Sequence, residues 1–134
     1  MAVIRELKRS IFTSMKIFAC FRKLDSIQGE NVLTNFLEAS EKSIAILKEI
    51  NHNDDWKKIV EQKMEESNFI LFLLGEKTFV SDHIKWEYAK AKSLNKRIIG
   101  IKLNNASEES IIYCQGFQVF DNVTQAYNFI DLGT

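Results

Sequence analysis

The chain has no proline, and nothing functional follows from that absence. Cysteine is scarce. Cys20 and Cys114 lie far apart and form no CxxC pair, so reduced thiols in a cytoplasmic protein are the plain expectation. No apolar run is long enough for a membrane span; the longest, "FILFLLG", falls far short of a bilayer. The opening "MAVIRELKRSIF" is charged throughout and no long apolar stretch follows it, which argues against a secretory signal. Charge of one sign is missing too. Lys plus Arg and Asp plus Glu number 18 each, so no footprint for nucleic acid or an anionic membrane is expected. Glycine-rich phosphate loops are absent: there is no GxGxxG and no GxxxxGK[ST]. GxSxG is missing, which removes a nucleophile elbow. His52 and His83 lack cysteines or paired carboxylates at ligand spacing, so no metal site is expected.

What is present is enough for one domain. The chain has 134 residues, 46% of them apolar, which supports a core without metal or disulfide staples. "MKIFACF" (15–21) reads as a strand that ends in the polar loop "RKLDSIQGEN". "VLTNFLEASEKS" (32–43) has helical spacing, and "IAILKEI" (44–50) fits either a strand or a prolonged helix. After the turn "NHND", Asp54 or Asp55 can cap a helix over "WKKIVEQKMEES". "NFILFLLG" (68–75) and "KRIIGIKL" (96–103) are continuous apolar runs and so buried strands, with the helix "SDHIKWEYAKAKSLN" (81–95) between them. "IIYCQGFQVF" reads as one short strand with a turn, and "TQAYNFIDL" (124–132) as a closing helix. Strands alternating with helices predict a flavodoxin-like fold of the α/β class, a five-stranded parallel sheet with helices on both faces. Residues 1–14 fit this pattern poorly and are taken as an extension; 15–134 form the domain.

In such a sheet a ligand binds at the carboxyl ends of the strands, at the switch in strand order. The loops after the first three strands reach that edge. A flavodoxin phosphate loop is excluded by "FRKLDSIQGEN", and a receiver domain by the lack of an aspartate ending "FILFLLG". Glu87 is the residue that asks for an explanation. At about 100° per residue it falls within the apolar arc of Ile84, Tyr88, Ala91 and Leu94. By position alone, a partly exposed glutamate near a helix start is the commoner case. A carboxylate in a cleft with aromatic neighbours is also how an enzyme holds a base, a nucleophile or a hydroxyl-binding group.

The words "LLGEKT", "SDHIKWE" and "KRIIGI" resemble the "LIG..T", "S.WV.WE" and "K.IIGI" pattern of Toll/interleukin receptor (TIR) domains. The likeness is nearest to the compact prokaryotic TIR-like proteins of the Thoeris antiphage-defence type. "MKIFACFRKLD" resembles the first TIR box; the match is good over roughly 54–103 and thinner over 15–50. The resemblance implies an enzyme that consumes NAD as substrate, without a further cofactor. It implies that Glu87 is catalytic, that Phe21 and Arg22 line the nucleotide pocket, and that Asp25 fits the acidic position after them. His83 replaces the family's tryptophan in the base-holding position, four residues before Glu87, where the two can pair. Imidazole offers less stacking area than indole, which predicts weaker NAD binding; an ordinary surface histidine near a helix start is the equal alternative for His83. Trp86 reads as a half-buried packing residue.

Three functions follow. The first is an NAD glycohydrolase or ADP-ribosyl cyclase whose product signals to a separate effector protein. Self-association is expected, because related domains complete their pockets with a neighbouring copy. The second is a silent TIR module that works by assembly or partner binding. The third is a nucleoside deoxyribosyltransferase-like enzyme with a glutamate nucleophile.

Overall fold

The structure, a computed structural model, describes residues 14–40, 43–48 and 55–132. The expected N-terminal extension, apart from Ser14, and the "NHND" turn lie outside these residues.

Five strands form one sheet: β1 (Ser14–Cys20), β2 (Ser43–Lys48), β3 (Phe69–Leu74), β4 (Arg97–Lys102) and β5 (Gln118–Phe120). Their order is β2-β1-β3-β4-β5 and every pairing is parallel. "NFILFLLG" and "KRIIGIKL" therefore supply interior strands, as their two-sided apolarity requires. All of β3 is buried. Alternate residues divide between two cores. Ile17, Phe69, Leu71 and Leu73 face one side, where Leu33, Phe36, Ala126 and Ile130 cover them. Phe18, Ile70, Phe72 and Leu74 face the other, under Val60, Met64, Ile84, Tyr88 and Ala91. The period of two along each strand produces this three-layer arrangement.

The helices are α1 (Ser26–Ala39), α2 (Trp56–Glu66), α3 (Asp82–Ser93), α4 (Glu108–Tyr113) and α5 (Val123–Leu132). Residues 44–48 are strand, not a prolonged helix, in parallel register with Met15–Ala19. Helix α1 starts six residues before the expected 32. Gly29 interrupts the apolar period there, yet it fits the helix because its missing side chain leaves room for the Phe21 ring; a Cβ would lie 2.9 Å from Phe21 Cδ2. The expectation for "IIYCQGFQVF" needs a correction. Its first three residues end α4, and the strand is confined to β5. Ser107 caps α4 by accepting a hydrogen bond from the Ser110 N–H, with Glu108 and Glu109 in the first turn. Gly116, at φ +98°, makes the turn between them.

Helix α3 has a cap at each end. The Ser81 hydroxyl accepts from the Ile84 N–H. At the far end Asn95 is left-handed, at φ 56°. The Lys96 N–H reaches Ala91 O and the Asn95 N–H reaches Lys92 O, the Schellman arrangement. These caps fix the ends of the helix, and the packing of Ile84, Tyr88 and Ala91 against the sheet sets the direction Glu87 faces.

Candidate active site

A cavity of about 820 Å³ opens at the carboxyl edge of the sheet, where β1 separates β2 from β3. This is the switch point of the strand order. The end of β1 supplies Ala19, Cys20, Phe21 and Arg22, and the turn after it supplies Lys23, Leu24 and Ser26. Val80, Ser81, His83, Ile84 and Glu87 come from the β3–α3 connection and α3 itself. Lys48, at the end of β2, and Glu30 of α1 complete the wall.

Glu87 is 3% exposed, so the partly exposed alternative is set aside. His83 Nε2 stands 3.9 Å from Glu87 Oε2, one helical turn away. That spacing sits at the outer limit of an ion pair. The His83 ring is held from outside the cavity: Trp56 stacks on it at 3.7 Å between centroids, with the planes 21° apart. Trp86 packs edge-on against Trp56 at 5.0 Å, the packing role expected of it. Lys57 Nζ lies over both indoles, at 5.7 and 5.5 Å. An indole from α2 therefore backs the His83 ring. Sequence reasoning missed Trp56, because no local spacing links position 56 to 83.

Asp25 is placed differently from Phe21 and Arg22. It is not among the residues lining the cavity. Its carboxylate lies against Gly75, where a Cβ would come within 2.4 Å of Asp25 Oδ2. Asn105 Nδ2 also donates to Asp25 Oδ1 at 3.4 Å. Asp25 thus joins the β1 loop to the β3 loop. The buried Thr78 hydroxyl accepts from the Gly75 N–H at 2.7 Å and folds the "GEKT" segment back on the strand end. The glycine and threonine of that word therefore shape the loop that leads to Glu87.

Behind α3, Tyr88 packs among Phe72, Phe79, Tyr113 and Phe117. Burial, with the neighbouring Cys114 and Tyr113, pushes the Tyr88 phenol up to about 12. Burial alone pushes the Cys114 thiol up to about 12. Both stay protonated at neutral pH, so neither is a nucleophile there. Glu87, His83 and Arg22 are ionisable side chains that the β1 end and α3 bring to the cavity. Among the described residues, no cluster of three His, Cys, Asp or Glu can hold a metal ion. No helix among them is long and apolar enough to cross a membrane.

A family model described as "Thoeris protein ThsB, TIR-like domain" matches residues 12–108. No curated protein matches the chain. Among solved structures, the Clostridium botulinum CMP N-glycosidase BcmB is similar at a TM-score of 0.56 and 14% identity, over 87% of this chain and 98% of that one. That likeness shows the fold.

Proposed function

The chain belongs to the Thoeris ThsB TIR-like family, and on that premise we propose that it cleaves NAD at the nicotinamide–ribose bond. The product is an ADP-ribose-derived signal in antiphage defence, hydrolysed or cyclised, read by a separate effector protein. The observation that carries this reading is Glu87: a carboxylate 3% exposed, on the wall of a cavity that Phe21, Arg22 and His83 also line. As nicotinamide departs, positive charge grows on the ribose. A preorganised carboxylate stabilises that charge or fixes the ribose hydroxyls. Phe21, packed on Gly29, offers an aromatic surface to the ligand. Self-association belongs to the proposal. Leu24 and Val80, 80% and 63% exposed, line the cavity rim, and apolar side chains there favour a second copy.

The test is incubation with NAD across a range of protein concentrations, with products read by mass spectrometry. Nicotinamide release that rises in specific activity with concentration is expected. Absence of nicotinamide at every concentration refutes the reading.

A second reading has one observation in its favour. The fold neighbour is a CMP N-glycosidase, and the bond in question is again N-glycosidic, with a nucleotide in place of NAD. Release of free base from CMP or another nucleoside monophosphate, with NAD left intact, selects this reading.

A further inference from the structure

Lys48 and Glu30 face the cavity but have no part in the chemistry above. Lys48 ends β2, and its ammonium donates to both oxygens of Glu30, at 2.5 and 2.6 Å. Both side chains remain partly open to solvent, 39% and 44% exposed. The Lys48 backbone is fixed as well. It is in register with Ala19 of β1, and its carbonyl accepts from Lys63 Nζ of α2 at 2.6 Å. A lysine tied down at both ends, on a cavity wall, is a preorganised cation. It shares that wall with Arg22 and Lys23.

The strand order separates this cation from Glu87. Lys48 lies at the end of β2, and Glu87 follows β3, with β1 between them. Two strand spacings, roughly 10 Å, separate the ends of β2 and β3, and Lys48 and Glu87 line the same cavity, so one nucleotide can touch both. An exposed lysine–glutamate pair is worth little to stability, so the pair is readily exchanged for a stronger partner.

The geometry points to a phosphate-anchoring subsite in which Lys48, with Arg22 beside it, selects phosphorylated nucleosides over free nucleosides. Glu30 is the internal counter-ion that holds Lys48 in place and gives way to the phosphate. This assignment rests on the cavity being a nucleotide site, and it names the substrate class for either N-glycosidic reaction. Lys48 is a specificity residue: it grips a group away from the bond that breaks.

Equilibrium binding of AMP and adenosine, which differ only in the 5′-phosphate, tests this without any turnover. The wild-type chain is expected to bind AMP on the order of tenfold more tightly, as a charge-assisted contact provides. Lys48→Met brings the ratio toward one, and Lys48→Arg preserves it. Glu30→Gln removes the competing carboxylate and raises the ratio. Equal binding of the two ligands by the wild type, or no binding of either, overturns the proposal. So does an unchanged ratio in Lys48→Met. Should that variant fail to fold, Lys48→Gln takes its place: a ratio near one supports the subsite, and an unchanged ratio overturns it. NAD assayed in parallel separates the two ideas. A phosphate preference without NAD turnover keeps the subsite and sinks the NAD reading; turnover without the preference does the reverse.

Discussion

Replacing Glu87 by glutamine changes one charge and almost no volume. If the carboxylate stabilises a developing positive charge about 3.5 Å away, at an effective dielectric of about 20, the interaction is worth roughly 4–5 kcal/mol. Its loss slows turnover about a thousandfold. Folding should respond far less. The contact with His83, at 3.9 Å, is long for an ion pair. The neutral amide is also cheaper to bury than a carboxylate, which offsets part of what is lost. The stability change is expected within about 1 kcal/mol. NAD turnover followed by mass spectrometry, with a urea titration on the same preparation, reads both quantities. Glu66→Gln, at an exposed position on α2, controls for general effects of removing a glutamate and should alter neither. If Glu87→Gln unfolds at much lower urea yet turns over NAD within a few-fold of wild type, Glu87 is structural and the reasoning fails.

Three further outcomes are expected. Gly29→Ala adds a methyl within 2.9 Å of the Phe21 ring. The helix gains about 1 kcal/mol of propensity, but the ring must shift, so KM for NAD should rise several-fold with stability nearly unchanged; an unaltered KM refutes the contact's role. Trp56→Leu removes the stack on His83 and should cost about 1–3 kcal/mol in a urea titration, with Trp56→Phe recovering part of it; equal loss in both variants refutes a stacking role. The Cys114 thiol and Tyr88 phenol are both raised to about 12, from 9.0 and 10.0. Each is neutral in the fold where it would ionise in the unfolded chain, so their stabilising contribution is complete below about pH 9 and is lost as the pH climbs toward 12. Urea midpoints measured from pH 8 to 11 should fall from about pH 9, and Cys114→Ala should flatten the first part of that fall.

The sheet was legible because β3 and β4 carry unbroken apolar runs, which few structures other than an interior parallel strand explain. The inward arc of Glu87 followed from helical period alone, and its burial agrees. Helix α1 was read short, since Gly29 and the polar residues before it look like loop; only the Phe21 ring, distant from helix periodicity, explains the glycine. The short α4 lay hidden behind "IIY", three residues that favour strand by propensity, although Ser107 followed by two glutamates is a cap signal that could have revealed it. Asp25 lies in the loop after β1, and its carboxylate rests against Gly75 of another loop, a meeting that no spacing along the chain reveals. Lys48, Glu30 and Trp56 reach the site through tertiary packing, and no spacing along the chain announces such a meeting.

The close approach of Asp25 to Gly75 constrains how this protein can be recombined. Residue 75 has no space for a side chain while Asp25 leans against it. A first loop taken from a relative with a longer acidic residue therefore has nowhere to go unless the third loop comes with it. Chimeras that exchange residues 21–28 alone should express poorly, whereas exchange of 21–28 together with 75–80 should restore folded protein. The two loops fit together as one unit, though some fifty residues of chain separate them.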